Sequence, residues 1–401
     1  MAVTFQSPER KSYDVVIVGG AMIGASVASF LAQSTDFTGS VLVVERDPSF
    51  EFASTSHTNS CIRQQFSSEI NVKISQFGVG YLRAFRDEIG DMRAPDIHLH
   101  EFGYLYLAQD PKFAAHLKSC QKMQANLGAG TVILSPDEIA EKFPFYDLGD
   151  VILGSYGSRD EGYFDGNTMC DWWRRTSRDR GVEYITNAVV DVVTDMAQVT
   201  HVVLETGERI ALGTLVNAAG PRAAQICDMA GITIPVEPRK RYTYVVEAQK
   251  PLTQDLPLTV DPSGVHVRTD GAYYMIGCAP DEDGPVAYDD FYEDHGLWEN
   301  KVWPAVATRI PQFEALKVIN SWVGHYAYNR FDQNAILGPH DRLSNFVFAN
   351  GFSGHGFQQA PAVGRGLAEW ITYGGYRSLD LSSLGYARLD QDRGTVEHAV
   401  I

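Results

Sequence analysis

Residues 13–46 read YDVVIVGGAMIGASVASFLAQSTDFTGSVLVVER, and this stretch constrains the fold more than any other. An apolar run at 15–18 leads into the turn Gly19-Gly20-Ala21-Met22-Ile23-Gly24. A helical stretch follows, then a second apolar run at 41–44 that ends on Glu45. That is the order of a βαβ dinucleotide site. The tight turn lets backbone approach a pyrophosphate, the helix N-terminus receives its charge, and a carboxylate about 20 residues on meets the ribose hydroxyls. A glycine turn alone is weak evidence; here strand, helix and acid are in register. The middle glycine of the G-x-G-x-x-G pattern is Ala21, whose methyl group needs slightly more room in the turn.

The chain has 401 residues, 44% of them hydrophobic, enough for a large core and two domains. Its net charge of −17 argues against nucleic acid as a partner. No run of about 18 apolar residues suggests a membrane span, and MAVTFQSPERK does not resemble a signal peptide. The five cysteines are widely spaced with no C-x-x-C, which predicts reduced thiols in a cytoplasmic protein and no metal site.

The polar stretch 49–68 is too long for an ordinary turn, and such loops tend to carry function. Helices are expected over 69–89, over 110–142 with a break near 128–130, and over 168–180. Strands are expected at 103–108, 182–186, 189–193, 201–204 and 215–220. From about residue 232 the texture changes to a run of strands (242–247, 258–260, 265–268, 273–277), which suggests an antiparallel sheet, with one helix over 294–309. α/β character returns with a strand at 346–349, a glycine-rich turn at 351–356 and a helix over 361–372. The expected architecture is α/β: a Rossmann-like nucleotide-binding domain from 12–95, 148–228 and 318–401, with an inserted antiparallel-β domain from 96–147 and 229–317.

Four motifs in order, VIVGGAMIGAS, SCIRQQFS, LVNAAGP and ANGFSGHGFQQAPAVG, resemble the D-amino-acid oxidase superfamily of FAD-dependent oxidoreductases. The chain is most similar to the sarcosine oxidase and dimethylglycine dehydrogenase branch, over about residues 12–373. The resemblance implies FAD as the cofactor. Gly19, Gly20, Ala21, Met22, Ile23 and Gly24 would form the pyrophosphate turn, with Glu45 and Arg46 at the adenosine ribose and Val189 at the adenine. Ala218, Ala219 and Gly220 would lie against the cofactor, and Gly351, Gly354, His355, Gly356, Phe357 and Gln358 at the flavin. Backbone amides of a glycine-rich turn can approach a planar ring, and a helix N-terminus stabilises a reduced, anionic flavin. His355 either covers the flavin or packs within its loop, and His57 is a further candidate flavin neighbour.

By the same resemblance Arg63 binds the substrate carboxylate, for which a guanidinium fork is well suited, and Tyr326 is an active-site tyrosine. The sequence departs from sarcosine oxidase at three points. Gly324 stands where that enzyme links a cysteine to FAD, so FAD is expected to be noncovalent. Gln358 stands where it has a second carboxylate-binding lysine. Met275 stands where it has the lysine that assists reaction with oxygen, which points toward a quinone or an electron-transfer protein as acceptor, with oxygen as the alternative. The expected reaction is oxidation of a small or N-substituted amino acid at its C–N bond, with hydride transfer to flavin N5 and hydrolysis of the imine. The alternatives are a D-amino acid or 2-hydroxy acid dehydrogenase on the same fold, and a non-catalytic FAD-binding assembly factor.

Overall fold

The computed structural model describes residues 4–398. The outermost residues of the N-terminal stretch and of the polar tail, 1–3 and 399–401, lie outside the described residues.

Strand β1 (Ser12–Val18) occupies the middle of the first sheet, whose order is Ile336–Pro339, Phe346–Asn350, Arg209–Asn217, β1, β2 (Val41–Glu45) and Glu183–Thr186. All pairings from Phe346–Asn350 to Glu183–Thr186 are parallel. Both faces of β1 are covered, which is why residues 15–18 read as a continuous apolar run instead of alternating. Val15 and Ile17 pack under helix α1 (Met22–Gln33) and the helix Gly356–Tyr373, while Val16 and Val18 face a second core. The two helices lie close because their contact is built from small residues: Ser26 Oγ donates to the Ala360 carbonyl at 2.7 Å, and a Cβ on Gly364 would overlap Ser26.

The second sheet runs Leu316–Asn329, Val236–Ala248, Tyr273–Cys278, His266–Asp270, Leu258–Val260, Tyr104–Ala108, Leu153–Gly157, Thr131–Leu134. It is antiparallel except where Leu258–Val260 runs parallel to Tyr104–Ala108; these strands come from distant segments, so no hairpin dictates their relative direction. Period-two alternation sends Tyr244 and Val246 into the core with Tyr274, Ile276 and Phe313. Arg241 and Thr243, on the opposite face, line a cavity.

Several elements differ from expectation. The stretch 110–142 is not one interrupted helix: Pro111–Asn126 ends before left-handed Gly128, a strand Thr131–Leu134 follows, and a capping box at Ser135 and Glu138 starts Pro136–Lys142. The helix expected over 69–89 breaks at Ala84 into Glu69–Arg83 and Phe85–Ile89. The one expected from 294 begins only with a wide turn at Trp298–Val302. Boundaries at 148 and 318 would give the nucleotide-binding domain the strands Leu153–Gly157 and Leu316–Asn329, which hydrogen bonding places in the second sheet. The opening residues of the latter strand are exposed on both faces, so its sequence carries no alternation to read.

Candidate flavin and substrate site

A cavity of about 880 Å³ extends from the C-terminal ends of β1 and β2 to the strands of the second sheet. At its first end the roles within the glycine turn separate. Gly19, at φ +100°, lines the cavity, and any Cβ there would strike the Ala218 carbonyl. Ala21, Met22 and Ile23 also line it. Gly20 and Gly24, expected at the ligand, do not: the Gly20 N–H donates to Glu45 Oε2 at 2.7 Å, and Gly24 lets α1 sit against the Gly19 carbonyl. Ala21 sits at φ −76°, which any L residue adopts, so its methyl group causes no backbone strain. The N-cap residue Ala21 makes no side-chain cap and the first turn of α1 holds no acid, while Thr55 Oγ1 accepts from the Met22 N–H at 3.3 Å. The N–H groups of that turn are therefore suited to an anion.

Glu45, Arg46, Val189, Ala218, Ala219 and Gly220 line the same end. Burial raises the Glu45 pKa, against the N–H groups of Asp47 and Gly20 that it accepts. A ribose diol would add donors to this carboxylate.

At the other end the helix Gly356–Tyr373 starts five residues earlier than expected, with Pro361 inside it. A proline reads as a helix start, yet here it stands at the sixth helical position, where it forgoes the hydrogen bond to the Phe357 carbonyl. The consequence is that a second uncapped helix N-terminus, at Gly356, opens into the same cavity. Gly354, His355, Gly356, Phe357 and Gln358 line it. Gly354, at φ +92°, admits no side chain because a Cβ would lie 2.5 Å from the Tyr326 ring. Gly351 is off the cavity, packed on Val236 and Asn329.

Arg63 is only 1% exposed and lines the cavity. Its Nη1 donates to the Gln65 carbonyl, its Nη2 lies 2.9 Å from His355 Nε2, and its Cζ sits 4.0 Å from the centre of the Phe66 ring. Burial works against its charge, and the carboxylates of Glu397 and Glu161 work for it. Tyr326 is half-buried in the cavity wall with the Arg241 guanidinium 4.6 Å from its ring. Gln358 spends its carbonyl oxygen on the Arg63 N–H at 3.0 Å. His355 packs edge-on to Phe66 at 5.2 Å while also lining the cavity.

Three groups here were not legible in the sequence. Arg241 lines the cavity and pairs through both nitrogens with Asp283 at 2.8 and 3.0 Å. His266 accepts from Asn59 Nδ2 at 2.6 Å, and burial, then Arg241 and Arg268, hold its pKa down to about 3. Asn59 Oδ1 and His266 Nδ1 are buried without hydrogen-bond partners, an arrangement that a polar ligand would relieve. The alternation of the strands carrying Arg241 and His266 was visible; which face met a cavity was not.

Glu161 is the third. It is buried and accepts from the Gln64 N–H at 2.7 Å and Gln65 Nε2 at 2.8 Å. Burial raises its pKa from 4.5 to about 7 despite those donors. A carboxyl whose folded pKa is raised stabilises the fold below its unfolded pKa, and that contribution is lost as pH rises through the folded one. Glu161→Gln is therefore expected to remove a stability slope between pH 4.5 and about 7, worth up to roughly 3 kcal/mol. Denaturant midpoints of both proteins across that window measure it.

The positions that distinguish this chain from sarcosine oxidase also have structural neighbours. A Cβ on Gly324 would lie 2.6 Å from His57 Cβ, so His57 occupies the space a side chain would need. Met275 is off the cavity and receives Arg268 Nη2 on its sulfur at 3.4 Å. Lys240 pairs with Asp290, and among the described residues no lysine lines the cavity.

Two helix N-termini that open into one cavity, a half-buried carboxylate at the end of β2 and small residues between them define a dinucleotide-type site, and these residues fit FAD. The chain belongs to the DAO family of FAD-dependent oxidoreductases, whose model matches residues 14–370. It is 36% identical to "FAD-dependent oxidoreductase domain-containing protein 1" of Xenopus laevis, over 98% of this chain and 85% of that protein. It is 25% identical to the mitochondrial dimethylglycine dehydrogenase of Mus musculus, over 92% of this chain but 43% of that one. Among solved structures, L-proline dehydrogenase from P. horikoshii superposes with a TM-score of 0.83 at 26% identity, covering 96% and 99% of the two chains. Glycine oxidase from Geobacillus kaustophilus shares the fold at a TM-score of 0.79 and 21% identity, over 94% and 98%. No helix among the described residues is long and apolar enough to cross a membrane.

Proposed function

We propose that this FAD-dependent oxidoreductase oxidises the C–N bond of a small amino acid whose nitrogen carries a substituent, with the substrate carboxylate held on Arg63. The observation that carries this reading is the buried Arg63 guanidinium in the cavity wall, 2.9 Å from the histidine that precedes the helix at the flavin end. Dimethylglycine dehydrogenase and L-proline dehydrogenase among the relatives support the substrate class, since both named substrates are N-substituted amino acids.

Bound FAD supplies the two-electron acceptor for the C–H bond next to nitrogen, leaving a C=N product that water hydrolyses. The chain's residues position and desolvate. Arg63 fixes the carboxylate, and Tyr326 and Tyr104 wall the same space. Arg63 and Arg241 disfavour a third positive charge nearby, so they lower the pKa of a bound amine and favour its reactive neutral form. Neutral His266 adds no charge. With no lysine lining the cavity among the described residues, the reduced enzyme is assigned a quinone or an electron-transfer protein as acceptor. The five free cysteines suit a reducing compartment.

The test is anaerobic mixing of the yellow protein with L-proline, N-methyl amino acids, D-amino acids and 2-hydroxyglutarate. The expected result is bleaching of the flavin absorbance by N-substituted amino acids, faster turnover with a dye than with oxygen, and release of all flavin on denaturation. Bleaching by hydroxy acids alone would sink the substrate reading, and flavin that stays with the denatured chain would sink noncovalent binding.

A further inference from the structure

The segment Thr395–Glu397 folds back onto the loop that carries Arg63. Glu397 is 1% exposed, although it stands in a polar tail of the sequence. Both of its carboxylate oxygens lie 2.9 Å from the Ser67 N–H, and Asn71 Nδ2 lies 3.2 Å from Oε2. The segment is itself fastened: the Glu397 N–H donates to the Asp332 carbonyl at 3.0 Å, and Asn334 Nδ2 donates to the Thr395 carbonyl at 2.6 Å. Asn71 also donates to Asn334 Oδ1 at 2.6 Å and accepts from Gln359 Nε2 at 3.1 Å, which joins the tail to the helix beginning at Gly356.

Ser67 follows Phe66, whose ring lies against the Arg63 guanidinium and meets His355 edge-on. Groups distant in sequence hold the loop along its length: Gln358 on the Arg63 N–H, Glu161 on Gln64 and Gln65, Gln124 Nε2 on the Phe66 carbonyl at 2.8 Å, and Glu397 on the Ser67 N–H. Glu397 is a buried acid on a backbone N–H, and an ionised acceptor makes the stronger kind of hydrogen bond. Loss of the Glu397 anchor would free the Ser67 N–H and leave Phe66 held on that side by Gln124 alone, and a guanidinium misplaced by about 1 Å loses much of its value in positioning.

We propose that Glu397 is a positioning residue: it acts through Ser67 and Phe66 to hold the Arg63 guanidinium in the orientation that receives the substrate. The proposal rests on the reading of Arg63 as the carboxylate-binding residue. It is not needed for flavin binding, because Glu397 is not among the cavity-lining residues.

The test uses Glu397→Gln in the flavin-loaded protein, with Glu397→Asp as the conservative variant. Gln leaves one acceptor oxygen and turns an NH₂ toward the Ser67 N–H or Asn71 Nδ2. Expected are a KM raised ~10-fold or more with kcat within about twofold, unchanged flavin content, and faster amide hydrogen exchange at 63–68 but not in α1. Glu397→Asp is expected to recover some of the KM, and it carries the comparison should Glu397→Gln not fold. Unchanged exchange at 63–68 overturns the proposal outright. So does an unchanged KM in Glu397→Gln where Arg63→Ala raises it. An Arg63→Ala variant with unchanged KM instead overturns the reading of Arg63, and the positioning role with it.

Discussion

Arg63→Ala is expected to raise KM by at least ~30-fold while the purified protein stays yellow. Truncating one partner of a buried, hydrogen-bonded charge pair costs 2–5 kcal/mol, roughly 30-fold to several thousand-fold in affinity. The guanidinium would be that partner for the substrate carboxylate, and Gln358, which spends its carbonyl oxygen on backbone, is not a cation that could replace it. Some loss of stability should accompany the change, because Glu161 and Glu397 lose a compensating charge. Steady-state kinetics over a range of substrate concentration, with flavin content and Tm measured in parallel, separate the two effects. Arg63→Lys refines the test. Lysine keeps the charge but not the planar fork, so partial recovery is expected if geometry matters as well as charge. An unchanged KM in Arg63→Ala would remove Arg63 from the substrate site.

Gly24→Ala is expected to abolish retention of FAD through purification. The added methyl group would overlap the Gly19 carbonyl oxygen, which is backbone and cannot rotate away, so α1 and the turn must separate. Overpacking of this kind costs about 1–3 kcal/mol, and displacing the α1 N-terminus adds to it. FAD affinity should fall by ~100-fold, the upper end of that range expressed as binding. Ala21→Gly is the informative control. Ala21 lines the cavity in an ordinary conformation, so its loss should leave flavin content near the parent value. Flavin absorbance per chain after gel filtration measures both. If Gly24→Ala stays yellow, the helix does not need its present approach to the turn.

The βαβ unit was the most legible region of the sequence because it is local. Strand, turn, helix and Glu45 lie within 34 residues, and their order follows from burial on both faces of a parallel sheet. Where the reading slipped, the deciding contacts were distant. Pro361 suggested a helix start, but the helix begins at Gly356. Residues 131–134 looked helical in continuity with their neighbours, but they complete the edge of a sheet whose other strands come from elsewhere in the chain. Within the glycine motifs, residue type did not separate glycines that face a ligand from those that let backbone pack: Gly20, Gly24 and Gly351 are of the second kind.

The sequence by itself determined a dinucleotide site, an α/β frame and, through four motifs, the chemistry of FAD. Those properties depend on periodicity and on residues close together in the chain. The tertiary structure decided what surrounds the proposed substrate space: that Arg63 is buried and not solvated, that Arg241 and His266 line the same cavity, and that Glu161 and Glu397 bond to the loop carrying Arg63. Each of these is a contact between residues far apart in sequence, and a side chain's type does not record which distant surface will take it out of water.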